Sequence, residues 1–440
     1  MTRKFGIVRL AALVLAAAAG AGSGPATADP IKILFVGNSY THGRYLPALN
    51  YDAGPGDAAG SDLVHDLLCP TLPCTGAEGV APVMPTSANT PGGSLLGQLA
   101  YLQANPASEY TEVGPFGGVA GIFLQFTKEA GLDYDVSLIA VSSATLKGYS
   151  NNTGSEAGDL ALIESAKFSQ VILQDQTFEP LPTTITVNGH SVPTRGNPTS
   201  FRSGVSALVD GIDAADAAAR VPYARIILAQ TPPLASYGYV SSNPAAPIFG
   251  SSTAAQQGGN PAYAPYLGDA NPMAAMAGDL HNAYEAAASS YNAANPALSH
   301  VDVALDGDAW VSAINLGIAE PNPFLTHEPF GQIDLWDSNP LLACCTVPIG
   351  YHPSVYGDYL NGLMLFGQIT GINPLWLVPE YNPGFWSGQQ SAAQTLGISP
   401  QIAADLAIVA QATLIAGGPV DAQPGSLCWA WYWAECRPPT

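Results

Sequence analysis

Five short runs rich in β-branched residues, spaced by stretches of helical pattern, constrain this chain most. They lie at 31–36, 136–141, 170–173, 225–229 and 301–304, and each ends in small or polar residues. Near-continuous apolar strands of this kind are buried on both faces, as in a parallel sheet. Helical patterns fall between them at 119–130, 157–167, 201–219 and 273–292. The alternation predicts a doubly wound α/β domain. In such sheets ligands bind beyond the carboxyl ends of the strands, so functional side chains are sought there.

Of the 440 residues, 47% are hydrophobic and only 11% are charged. A typical chain is about one-quarter charged. The apolar fraction excludes a disordered polymer and leaves enough material for a large core. Thirteen basic residues face 34 acidic ones, a formal net charge of -21. Nucleic acid and anionic membrane surfaces need basic patches, so neither is an expected partner. Three Gly- and Pro-rich segments read as insertions, at 52–110, 182–199 and 237–266. The second reads as a hairpin around Asn188-Gly189.

The first 28 residues read as a secretory signal peptide. Arg3, Lys4 and Arg9 precede an apolar run at 10–19, and Ala26-Thr27-Ala28 offers small residues for cleavage before Asp29. No later run has the roughly 18 uninterrupted apolar residues of a membrane span. The expected location is therefore secreted, extracellular or periplasmic. Six cysteines agree with an oxidising compartment. Spacing favours local loops Cys69–Cys74 and Cys428–Cys436, leaving Cys344 and Cys345 as a vicinal pair or reduced. No C-x-x-C and no histidine at zinc-ligand spacing occurs, so no metal is expected.

The first strand runs straight into Gly37-Asn38-Ser39-Tyr40-Thr41. A strand followed by a tight glycine turn puts Ser39 at the strand's carboxyl end and at the start of a helix. Its N–H would there face a developing oxyanion. A serine that merely caps the helix is the plain alternative. A serine nucleophile needs a general base. Among His42, His65, His190, His281, His300, His327 and His352, the last stands out by context. Gly350-Tyr351-His352-Pro353-Ser354 lies after the last strand and opens an apolar helix at 359–369.

Gly37-Asn38-Ser39-Tyr40-Thr41 near the start and His352-Pro353-Ser354 near the end resemble the SGNH (GDSL-like) hydrolase superfamily. The G-x-S-x-G elbow of α/β-hydrolases is absent. Residues 171–177, Val-Ile-Leu-Gln-Asp-Gln-Thr, are similar to the family's third block, and 303–310 resemble a strand preceding the catalytic histidine. The resemblance implies a three-layer α/β/α sandwich on a five-stranded parallel, flavodoxin-like sheet, spanning 29–375 with long insertions. It also implies a serine esterase or deacylase without metal or organic cofactor. Ser39 would attack the acyl carbonyl and His352 would carry the proton. The oxyanion would lie on the Ser39 N–H and two further donors.

This chain departs from the family at two points. The family's aspartate three residues before its histidine is Ile349 here, so Asp337 is proposed as orienter, with Asp334 as substitute, beyond an insertion at 338–351. A dyad using a backbone carbonyl stays open. The third-block asparagine is replaced by Gln176, or alternatively Gln174, and the second-block glycine by Ser143, whose backbone N–H can still donate. The expected substrate is an ester: an acetylated polysaccharide, a lipid or a polyester. A carbohydrate- or polymer-binding protein on the same scaffold is the rival reading. A glycoside hydrolase lacks a recognisable strand-end carboxylate pair. Residues 376–440 read as an extension with one good helix at 400–416. It ends in a loop where Trp429, Trp431 and Trp433 alternate, as a binding platform or as packing onto the domain.

Overall fold

The computed structural model describes residues 29–56, 62–69, 71, 74, 114–153, 156, 158–239, 264–324, 332–337, 350–379, 381 and 390–420. The leader, Cys344, Cys345, Cys428, Cys436, His327 and the three tail tryptophans lie outside these residues.

The main sheet is parallel throughout and has seven strands, not five. They are β1 (Ile31–Gly37), β2 (Ala53–Pro55), β3 (Val64–Asp66), β4 (Tyr134–Ala140), β5 (Gln170–Leu173), β8 (Arg225–Ala229) and β9 (Val301–Ala304). Their spatial order is β2-β3-β4-β1-β5-β8-β9. The five long strands keep the flavodoxin-like order 2-1-3-4-5. The two added strands lie inside the segment read as an insertion. Each has three residues, with Gly, Pro, His and Asp among them, so no apolar run betrayed them. A separate hairpin pairs β6 (Thr184–Val187) with β7 (His190–Pro193). Its turn residues Asn188 and Gly189 have φ of 51° and 78°, as a tight two-residue turn requires.

Period-two alternation splits the long strands between two cores. Ile33, Phe35, Leu138, Ile172 and Ile227 face one side with α2 (Gly118–Glu129), α8 (Asp306–Asn315), α9 (Val355–Thr370) and α11 (Pro400–Ala416). Leu34, Val36, Ile139, Val171 and Leu228 face the other, with α3 (Leu146–Asn151), α5 (Pro198–Ala219) and α7 (Pro272–Ala294). Both layers bury their strand residues almost completely. Short helices α1 (Ser39–His42), α4 (Leu160–Ile163), α6 (Ala235–Gly238) and α10 (Ala392–Thr395) complete the order, with a 3-10 turn at Pro374–Leu377. The helical pattern at 157–167 thus shrinks to α4, because Ala166 takes φ 53° and Gly158 φ 103°. No helix among the described residues is long and apolar enough to cross a membrane.

Candidate active site

The carboxyl end of β1 opens between β4 and β5, at the point where strand order reverses. Gly37 allows the turn there, since a Cβ on it would fall 2.0 Å from the Thr41 hydroxyl. Asn38 follows in extended conformation and caps α1, its Oδ1 accepting from the Tyr40 N–H at 3.1 Å. Its Nδ2 donates to the Ala144 carbonyl at 3.1 Å and so ties this turn to the one after β4. Ser39 is the first residue of α1, where helix geometry gives its N–H no intrahelical acceptor.

The Ser39 Oγ lies 2.9 Å from the His352 Nε2. The two residues are 313 positions apart and are 5% and 6% exposed. A hydrogen bond of that length suits proton transfer between a serine and its base. His352 owes its place to its neighbours. The Asp337 N–H donates to the His352 carbonyl at 2.9 Å, and Trp336 bridges Pro353 antiparallel. The Ser354 N–H donates to the Leu335 carbonyl at 2.8 Å, and its Oγ donates to the Asp334 carbonyl at 2.6 Å. Trp336 anchors that segment: its Nε1 donates to Pro233 at 2.9 Å, and its ring meets Trp310 edge to face at 5.0 Å. Asp334 and Asp337 therefore both stand on the segment that pairs with the one carrying the histidine. Both are half-buried.

Aromatic rings enclose the imidazole. Tyr351, Tyr40 and Tyr45 place their centroids 4.8, 5.4 and 6.2 Å from it. The Tyr40 hydroxyl donates to the Tyr351 carbonyl. Burial pushes the Tyr351 phenol up to about 12, against the opposing pull of Arg195 and Arg44. Burial raises the Tyr40 phenol as well, so both phenols stay neutral at physiological pH. Arg195 sits over the Phe178 ring, 4.6 Å from its centroid.

The other singled-out residues sit in the two turns that flank Ser39. Ser143 is exposed in the turn after β4, with φ 65°, a left-handed conformation that glycine adopts without strain. Gln176 is half-buried in the turn after β5. Gln174 lies under the nucleophile turn instead. Its Oε1 accepts from the Asn38 N–H at 3.3 Å and the Thr41 hydroxyl at 2.8 Å, and its Nε2 donates to the Asp175 carbonyl. That amide is engaged in closing the ends of β1 and β5. His42, the buried last residue of α1, bonds the Gly43 carbonyl through Nδ1 and Ser142 through Nε2. His65, His281 and His300 pair with Asp135, Asp308 and Asp302, away from Ser39. Cys69 and Cys74 form a disulfide. No group of three His, Cys, Asp or Glu among the described residues fits a metal ion.

Sequence reasoning did not single out Asn38, Tyr40 or Asp175. An asparagine at a helix N-cap was the only legible signal among them. The Asp175 carboxyl accepts two N–H groups and is pushed well above the usual carboxylate range by burial and then by Glu179.

Comparison with protein-family models and with curated proteins returns no match. Among solved structures, a DUF4886 family protein from Bacteroides uniformis aligns with TM-score 0.44 at 12% identity, over 90% of this chain and 98% of that one. A protein from Slackia heliotrinireducens, described as a candidate SGNH hydrolase, aligns with TM-score 0.32 at 14% identity, over 78% of this chain and 100% of that one.

Proposed function

We propose that this protein is a secreted serine esterase of SGNH type that hydrolyses a carboxylic ester through an acyl-enzyme. One observation carries the reading: the 2.9 Å contact of Ser39 Oγ with His352 Nε2, built from residues 313 apart at the carboxyl edge of a parallel sheet. Ser39 Oγ attacks the acyl carbonyl while His352 takes its proton. The tetrahedral oxyanion is met by the Ser39 N–H, the Ser143 N–H and the Gln176 amide. His352 then protonates the leaving alcohol, and later draws a proton from the water that releases the acid. The carboxylate of Asp337, or of Asp334, orients the imidazole and stabilises its charged form. The groups performing this chemistry lie within 29–375, after a leader at 1–28. Its substrate is the ester of a polysaccharide, a lipid or a polyester.

The test is hydrolysis of chromogenic esters, from acetyl to long acyl, by purified residues 29–440 beside Ser39→Ala. Wild-type turnover with a loss of about 1,000-fold or more in the mutant is the expected result, as for removal of a serine nucleophile elsewhere. A fluorophosphonate probe should label Ser39 in parallel. Inertness toward every ester together with no labelling would sink the reading and favour a binding protein on this scaffold.

A further inference from the structure

We propose that Asp175 is a positioning residue that sets the spacing between the two outer oxyanion donors; this rests on the serine-esterase reading above. Its Oδ1 accepts the Leu146 N–H at 2.9 Å and the Gln176 N–H at 2.8 Å. Leu146 opens α3, directly after the turn that holds Ser143. Its N–H is the first of that helix and has no acceptor within it. Gln176 lies in the turn after β5. A single carboxylate oxygen therefore spans the two turns flanking Ser39, and Asp175 is 0% exposed.

The clamp is built into a larger weave. On the opposite side, Asn38 donates to the Ala144 carbonyl and fixes the Ser143 turn to the nucleophile turn. Gln174 fixes the nucleophile turn to the end of β5. Asp175 closes the third side, from the β5 turn back to α3. All three turns are thus tied pairwise by buried side chains. Glu179 lies beside Asp175 and is itself 8% exposed. Two adjacent buried carboxyls are an expensive way to hold a turn. One buried oxygen that accepts two converging N–H groups fixes how far apart those groups stand. Oxyanion stabilisation is sensitive to placement, and errors near 1 Å cost about 100-fold in rate.

Asp175→Ala removes the acceptor and Asp175→Asn keeps it. In Asp175→Ala the proposal expects kcat on the best chromogenic ester to fall about 10- to 100-fold, with KM held within about twofold. Amide exchange at Leu146 and Gln176 should accelerate, while exchange in β1 stays unchanged. Asp175→Asn should keep both kcat and the two protected amides. If Asp175→Ala does not fold, Asp175→Asn still decides: a loss of kcat there, with the amides protected, overturns the proposal. A folded Asp175→Ala with wild-type kcat overturns it too. Wild-type protein that neither hydrolyses esters nor takes up the fluorophosphonate overturns the esterase reading itself, and the oxyanion role of Asp175 falls with it.

Discussion

Ser143 shows how a single residue can report its own site. It holds φ 65° although it carries a Cβ, and its side chain is exposed. Non-glycine residues in that region cost on the order of 1 kcal/mol. Ser143→Gly should therefore stabilise the protein by about 1 kcal/mol in urea melts. Ester turnover should stay within about twofold, because the proposed donor is the backbone N–H, which glycine keeps. A large loss of kcat in a stabilised Ser143→Gly would instead assign the hydroxyl a part. At this scale the sequence was informative for Ser39 and His352, whose flanking residues are distinctive. It was silent on Asp175, because a buried acceptor of two N–H groups leaves no trace in composition.

Elements were legible where their signal was local. Asn188-Gly189 specified its turn, and β1 is one residue longer than its apolar run. The helix at 400–416 matches its pattern at both ends, with Ser399 as N-cap and Gly417 as C-cap at φ 65°. Strands β2 and β3 were illegible because three residues at a sheet edge draw their order from β4, not from their own side chains. Helix α2 shows how elements are joined by a buried carboxyl. Its last residue, Glu129, accepts from the Ala392 N–H of α10 at 2.6 Å and from Gln125 at 3.2 Å. Burial nonetheless pushes its carboxyl from 4.5 up to about 8. The folded chain therefore keeps a proton that the unfolded chain releases near 4.5. Across the window from about 4.5 to about 8, stability falls as pH rises. Urea melts at pH 5 and pH 8 should differ by a few kcal/mol in the wild type. Glu129→Gln should narrow that gap, and an unchanged gap would show that Glu129 does not titrate with folding.

At the scale of the whole molecule, the described part of the C-terminal extension belongs to the core. Leu377, Val378, Leu406, Val409 and Ala410 are 0–3% exposed and share one cluster with Phe123, Trp310 and Leu363. Burying a large aliphatic side chain is worth about 1.5–3 kcal/mol. Losing these contacts removes an amount comparable to the margin of a typical domain. A chain ending at residue 375 is expected to lose its cooperative thermal transition in circular dichroism. A sharp transition retained by that truncated chain would make 29–375 a separate folding unit after all.

By itself, the sequence determined the layers of this protein. Apolar strands of β-branched residues, buried on both faces, can be satisfied only between two helical layers, and the glycine turn after β1 follows from the same local rules. The tertiary structure alone decided that Ser39 Oγ and His352 Nε2 come within 2.9 Å and that Asp175 bridges two turns. Those pairings join positions as far as 313 residues apart. They depend on strand order, and no local preference of the chain encodes strand order.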